Sequence, residues 1–194
     1  MEVQILSRAL AIHAMLYTRK GDGGETSFFG SPERVRKDSP RTEALGALDE
    51  LNSLLGVCKT HPNAEKFLAG GMTFARIIAD IQQTLFIIQA EVAGAPKSVS
   101  GEKVTVLEGL INTIESELPT IKSFSIPGGS GFSATLDYAR AVARRTERRV
   151  ISVTDVEIGA HTKSYVNRMS SILFALARLA NVRSGIKEEP PTYR

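Results

Sequence analysis

Between Asp137 and Arg149 the chain reads Asp-Tyr-Ala-Arg-Ala-Val-Ala-Arg-Arg-Thr-Glu-Arg-Arg, with Arg140, Arg144 and Arg148 four residues apart. Alanines and long unbranched side chains, uninterrupted by glycine or proline, predict a helix here. A step of four drifts only about 40° around a helix, so these guanidiniums make one stripe and Arg145 and Arg149 make a second row beside it. Like charges at this spacing repel one another. The arrangement suits a surface that must hold a polyanion through charge-assisted hydrogen bonds. A solvated face balanced by Glu147 and by carboxylates of other helices is the plainer alternative. The stripe adjoins the narrow apolar arc of Phe132, Leu136, Ala139 and Ala143, which predicts that part of it lies in a groove or interface.

A second group of polar residues is Tyr17-Thr-Arg-Lys-Gly-Asp-Gly-Gly-Glu-Thr-Ser27. Gly21, Gly23 and Gly24 let backbone approach a ligand and turn amides toward an anion. Thr18, Thr26 and Ser27 add hydroxyls, and Arg19 and Lys20 add charge. No Gly-Lys-Ser/Thr follows, so this is not a Walker A loop. By itself it reads equally as an ordinary flexible turn. In Leu48-Asp-Glu-Leu-Asn52, Asn52 falls within the apolar arc of its helix and needs a partner. Asp49 sits at the rim, where an arginine from a neighbouring helix or subunit could meet it. Asn167 and Phe174, seven residues apart, share a strip outside the main apolar arc and read as a pocket wall. His13, His61 and His161 lie in unrelated segments, so neither a metal set built from protein ligands nor a Ser-His-Asp or Cys-His arrangement is expected.

These residues need helices to hold them. Periodicity predicts helices over 39–60, 72–92, 101–118, 132–150 and 155–183. Their inward rows are Ala44, Leu48, Leu51, Leu55 and Cys58; then Phe74, Ile77, Ile78, Ile81, Leu85, Ile88 and Val92. The third has Val104, Leu107, Ile111, Ile114 and Leu118, and the last has Tyr165, Val166, Met169, Ile172, Leu173, Leu176 and Ala180. Gly70 and Gly71 mark the start of the second helix or a kink, and nothing between the helices reads as a buried strand. The fold class is therefore all-α: a five-helix bundle with an irregular N-terminal arm over 17–40. Residues 17–185 are expected to form one domain. Residues 1–16 read as an extension with little function, and 186–194 as a frayed charged tail.

Composition agrees with a soluble globular domain. Of the 194 residues, 42% are hydrophobic and 23% charged, which excludes wholesale disorder. The net charge of +3 and the lack of an aromatic stacking platform argue against a nucleic-acid binder. No apolar run reaches membrane-spanning length. One cysteine permits no internal disulfide and fits a reducing cytoplasm.

Taken together and in order, the motifs resemble those of the PduO-type ATP:cob(I)alamin adenosyltransferases. The carriers are Tyr-Thr-x-x-Gly-Asp-x-Gly-x-Thr-Ser from Tyr17 and Arg-x-x-Ala-x-Gly-x-x-Asp-Glu-Leu-Asn over Arg41 to Asn52. Phe124-Ser-Ile-Pro-Gly-Gly129 follows, then Ala-Arg-x-x-x-Arg-Arg-x-Glu-Arg over Ala139 to Arg148, and Asn167-Arg-x-Ser. The resemblance implies a homotrimer with active sites between subunits. It implies transfer of the 5′-deoxyadenosyl group of ATP to cob(I)alamin, with Mg²⁺, giving adenosylcobalamin and triphosphate. By the same resemblance Thr18, Arg19, Lys20, Gly21, Thr26 and Lys37 hold ATP. Arg144, Arg145 and Arg148 meet its phosphates with Glu147 nearby, and Asn167 contacts the nucleotide. Asp49 and Arg140 match a salt bridge that shapes the corrinoid site. Phe124 matches an aromatic that excludes a lower axial ligand, so that four-coordinate cobalt(II) is reduced more easily. A cobalamin reductase and an adenosylcobalamin-dependent enzyme are the implied partners. The chain departs from the family pattern at Gly23, where Lys is frequent, at Asp137, where His is common, and at Ser171 and Ile172, where an Asp-Tyr pair is frequent. These positions bear on one phosphate contact, on corrinoid affinity and on subunit contacts. A non-catalytic bundle that binds ATP or polyphosphate is the competing reading.

Overall fold

The computed structural model describes residues 17–28 and 30–193, so the expected extension over 1–16 lies outside the described residues. The chain divides into two compact units, one ending at Ser39 and the other beginning at Pro40.

The first unit is a small hairpin. Strand β1 (Glu25–Ser27) pairs antiparallel with β2 (Arg34–Arg36), Thr26 opposite Val35. The arm, expected as a loop with a short extended piece, thus holds two short paired strands. Arg34 supplies the reason: its guanidinium donates to the Lys20 carbonyl at 2.6 Å and the Glu25 carbonyl at 3.0 Å, and its Nε meets the Glu25 carboxylate at 3.2 Å. One planar fork thereby ties the Gly-rich turn to both strands.

The second unit has five helices: α1 (Pro40–Lys59), α2 (Phe74–Val92), α3 (Gly101–Glu117), α4 (Gly131–Ile151) and α5 (Ala160–Arg183). Every inward residue expected on α1, α2, α4 and α5 is buried. On α3, Val104, Leu107 and Ile114 are buried, while Ile111 and Leu118 pack partly buried against the core. Helix α4 lies between α1 and α5; α2 packs on α1, and α3 on α5. Pro40 opens α1, where a missing N–H costs nothing. Thr73, Ser100 and Ser130 cap α2, α3 and α4 by accepting from the backbone N–H three residues on.

Three local features differ from the expectation. Gly70 and Gly71, at φ of +56° and +78°, form the turn of a hairpin joining β3 (Leu68–Ala69) to β4 (Met72–Thr73) just before α2. Two consecutive positive φ values are what a primed two-residue turn demands, and glycine supplies them without strain. Helix α5 begins at Ala160, not at Asp155. Buried Val153 and Ile158 pin the connector, and Asp155 meets Arg41 at 3.4 Å. Gly159 offers no side-chain cap, so Glu91 of α2 takes that role: its carboxylate accepts from Gly159 N–H at 2.7 Å and from the Thr162 hydroxyl at 2.5 Å. Finally, residues 186–190 are not frayed but packed against the bundle, through Glu188 on Arg178 and the Glu189 carbonyl on Ile126 N–H.

Candidate active site

The antiparallel register of α1 against α4 divides the arginines. Thr146 Oγ donates to the Ala47 carbonyl at 3.0 Å, which fixes the pairing. Arg145 then meets Glu50 at 2.5 Å and Arg149 meets Glu43 at 3.7 Å. This row is neutralised across the helix pair. Arg144 and Arg148 lie on the other row, exposed, with no carboxylate partner among the described residues. Two adjacent uncompensated guanidiniums form a local positive field on an otherwise balanced helix.

Arg140 continues the free row toward a cleft of about 740 Å³ that Arg144 also lines. Its Nε donates to Asp137 at 3.1 Å in a partly buried pair, and its guanidinium stands 5.8 Å from the Phe174 ring centre. Asp49, the expected partner of Arg140, is exposed on α1 and joined to Arg140 by no ion pair among the described residues. With residue 50 beside 145, residue 49 stands beside 146, so Asp49 lies about 9 Å from Arg140 along the helix axis at 1.5 Å per residue. Asn52, one turn on, is 8% exposed, and its Oδ1 has no hydrogen-bond partner.

Phe124 stands on the loop between α3 and α4, lines the same cleft, and is 79% exposed. The loop is held at its end by Asn181 of α5, which accepts from Ser130 N–H and donates to the Gly128 carbonyl, both at 3.2 Å. Gly129 has φ of +98°, and a Cβ there would run into the Asn181 amide. The Pro-Gly-Gly signal thus has two physical causes, a left-handed backbone and a close approach. Phe174 forms part of the cleft wall, as expected. Asn167 donates to Glu147 at 2.7 Å, so these two candidates meet across α4 and α5.

In the first unit the nucleotide candidates converge on one turn. Lys37 Nζ donates to the Gly21 carbonyl at 2.8 Å, and a Cβ on Gly21 would meet that ammonium at 2.8 Å. Thr18 Oγ accepts from Lys20 N–H at 3.4 Å. Arg19 adopts φ of +60° with its guanidinium over Tyr17, and Thr26 lies in β1. Gly24 N–H donates to the Gly21 carbonyl and the Gly24 carbonyl accepts from Lys37 N–H, closing the turn.

Sequence reasoning passed over Asp137 as the residue that holds Arg140, and Arg178 and Asn181 as buried polar anchors. Asp137 three residues before Arg140 on a helix was a usable signal. The other two lie in an apolar stretch whose polar members looked outward. The described residues include no group of three or more His, Cys, Asp or Glu placed to hold a metal. None of the described helices is long and apolar enough to cross a membrane.

The sequence profile of the cobalamin adenosyltransferases matches residues 16–180. The corrinoid adenosyltransferase of Bacillus subtilis is 37% identical over 179 residues, 88% of this chain and 89% of that one. The human corrinoid adenosyltransferase is 35% identical over 186 residues, 90% of this chain and 72% of that one. PduO of Citrobacter freundii is 37% identical over 84% of this chain, which spans about half of that relative's length, 49%. A solved variant of the PduO-type ATP:corrinoid adenosyltransferase of Lactobacillus reuteri, complexed with cobalamin and ATP, superposes with a TM-score of 0.82 at 27% identity. It covers 92% of this chain and 97% of its own. With a profile that matches residues 16–180 and relatives 35–37% identical over most of its length, the chain belongs to the cobalamin adenosyltransferase family.

Proposed function

We propose that the chain transfers the 5′-deoxyadenosyl group of ATP to a cob(I)alamin substrate and releases triphosphate. One observation carries the reading: the unneutralised guanidiniums of Arg144 and Arg148 stand on the helix row that leads into a cleft fronted by exposed Phe124. A leaving triphosphate develops dense negative charge, and preorganised donors that need no rearrangement stabilise it best. Arg144 and Arg148 are free to do so; Arg145 is occupied with Glu50. Thr18 to Gly21, Thr26 and Lys37 bind and orient the nucleotide on a turn held in place by the Lys37 ammonium and the Gly24 amide, both donating to the Gly21 carbonyl. Asn167, fixed by Glu147, contacts the nucleotide. Phe124 covers the lower face of the corrin and keeps water off that coordination position. No protein nucleophile is required, because the corrinoid is itself the nucleophile; the chain supplies alignment and charge.

Mg²⁺ keeps most of its coordination in waters and phosphate oxygens and asks for one or two carboxylates, a demand that the Glu147 carboxylate beside Arg144 and Arg148 fits. When bound, it neutralises phosphate charge. The family resemblance is the ground for proposing a homotrimer. Asp49 is exposed on α1 with no ion pair among the described residues, and an arginine from a second subunit would pair with it. A buried lone cysteine suits a reducing cytoplasm. A cobalamin reductase upstream and an adenosylcobalamin-dependent enzyme downstream are the partners this chemistry requires.

The test is spectroscopic. Protein, ATP, Mg²⁺ and chemically reduced cobalamin are mixed, and the corrin spectrum is followed. Conversion of the cob(I)alamin bands to those of adenosylcobalamin is expected. Binding of ATP without that conversion would leave only the non-catalytic nucleotide-binding bundle.

A further inference from the structure

The residues from 186 to 190 were expected to fray, yet Ile186, Lys187, Glu188 and Pro190 form a wall of the cleft that holds Phe124. Their anchor is Arg178, an arginine only 7% exposed near the end of α5. Its Nε donates to both oxygens of Glu188, at 2.9 and 3.0 Å. Its Nη2 donates to the carbonyl of Pro119 at 2.9 Å, and its plane lies 5.9 Å from the centre of the Phe174 ring. Pro119 is where the Phe124 loop leaves α3. At the other side of that loop, Ile126 N–H donates to the Glu189 carbonyl at 2.8 Å. One buried cation therefore holds the start of the loop, and the tail segment that it also holds bonds to the loop just after Phe124.

A buried arginine tolerates its desolvation only while its partners are in place. Glu188 supplies the countercharge from a segment with no regular structure of its own. Losing that carboxylate leaves Arg178 uncompensated, so Arg178 must turn toward water and release the Pro119 carbonyl. Glu189 then loses its fixed position against Ile126. Loop and tail are thus one mechanical unit with a single ionic pin. The cleft wall and the exposure of Phe124 both depend on it.

We propose that Glu188 is a positioning residue for the corrinoid reaction: through Arg178 it pins the C-terminal tail to the Phe124 loop and so shapes the corrinoid side of the cleft. The proposal rests on the functional reading above. It assigns the tail a role in corrinoid binding and none in nucleotide binding.

The test compares full-length Glu188→Gln and Glu188→Asp with the unaltered protein in two measurements. The first is amide hydrogen exchange at Ile126, which needs no substrate. Glu188→Gln is expected to speed it about tenfold, the scale of one lost charge-assisted bond, with Glu188→Asp in between. The second is steady-state kinetics. The KM for the corrinoid is expected to rise about tenfold in Glu188→Gln while the KM for ATP stays unchanged, with partial recovery in Glu188→Asp. Unchanged exchange at Ile126 would overturn the pin, and faster exchange with an unaltered corrinoid KM would overturn the positioning role. Equal rises in both KM values would overturn the assignment to the corrinoid side. If the unaltered protein forms no adenosylcobalamin, the functional reading fails, and the exchange measurement still decides whether the pin exists.

Discussion

Arg144 and Arg145 are sequence neighbours with opposite electrostatic situations, one free at a cleft and one 2.5 Å from Glu50. Replacing Arg144 by Ala should lower turnover about 100-fold, the scale for losing one preorganised donor to developing charge. Thermal stability should hold, because no carboxylate among the described residues pairs with it; turnover within twofold of the unaltered protein would remove Arg144 from the site. Arg145→Ala should instead cost stability of about 0.2–1 kcal/mol, as for other exposed pairs, and less activity. Phe124→Ala should spare ATP binding and slow the reaction that starts from cob(II)alamin far more than the one that starts from cob(I)alamin. Equal slowing would argue against exclusion of a lower ligand. The stripe itself was legible, because residue type and a spacing of four are local properties of the sequence. Which of its arginines are free was not, because that depends on Glu43 and Glu50, about a hundred residues away and facing α4 only after α1 and α4 have paired.

Each helix was readable from its apolar period, and the misreadings fall where tertiary partners override local preference. Residues 155–159 fit a helical pattern, but the start of α5 is set by Glu91 of α2. The tail is charged and proline-bearing, a composition that signals fraying, yet a buried cation on α5 recruits it. Two predictions belong to elements. Gly129→Ala places a Cβ against Asn181 at a φ of +98°, and should destabilise the protein by about 1–3 kcal/mol by thermal melting. A melting temperature equal to the original would mean that the loop can shift freely. Cys58, buried in α1 with Sγ donating to the Thr135 carbonyl at 3.8 Å, has its thiol pushed by burial from 9.0 to about 11. The folded protein should therefore resist iodoacetamide at pH 8 and react only on unfolding. The native thiol holds its proton more tightly than the unfolded one, so its share of stability is intact below pH 9 and is lost between pH 9 and about 11. Rapid labelling of the folded chain would contradict this burial.

For the whole molecule, exposed Asp49 on α1 is without an ion-pair partner among the described residues, and a second subunit is the proposed source of one. Light scattering should give three times the 21.0 kDa of the chain, and Asp49→Ala should weaken the corrinoid reaction. A fully active monomer would contradict an active site shared between subunits. The expectation of assembly rests only on family motifs, since no local pattern of residues states what lies across an interface. In the proposed reaction a bound corrinoid attacks the sugar carbon of ATP while arginines of α4 hold the departing phosphates. The phosphate product recovered when cob(I)alamin is consumed reports on that step without ambiguity. Inorganic triphosphate released one for one with adenosylcobalamin is expected; ADP and orthophosphate, with the corrinoid left unalkylated, would rule the step out.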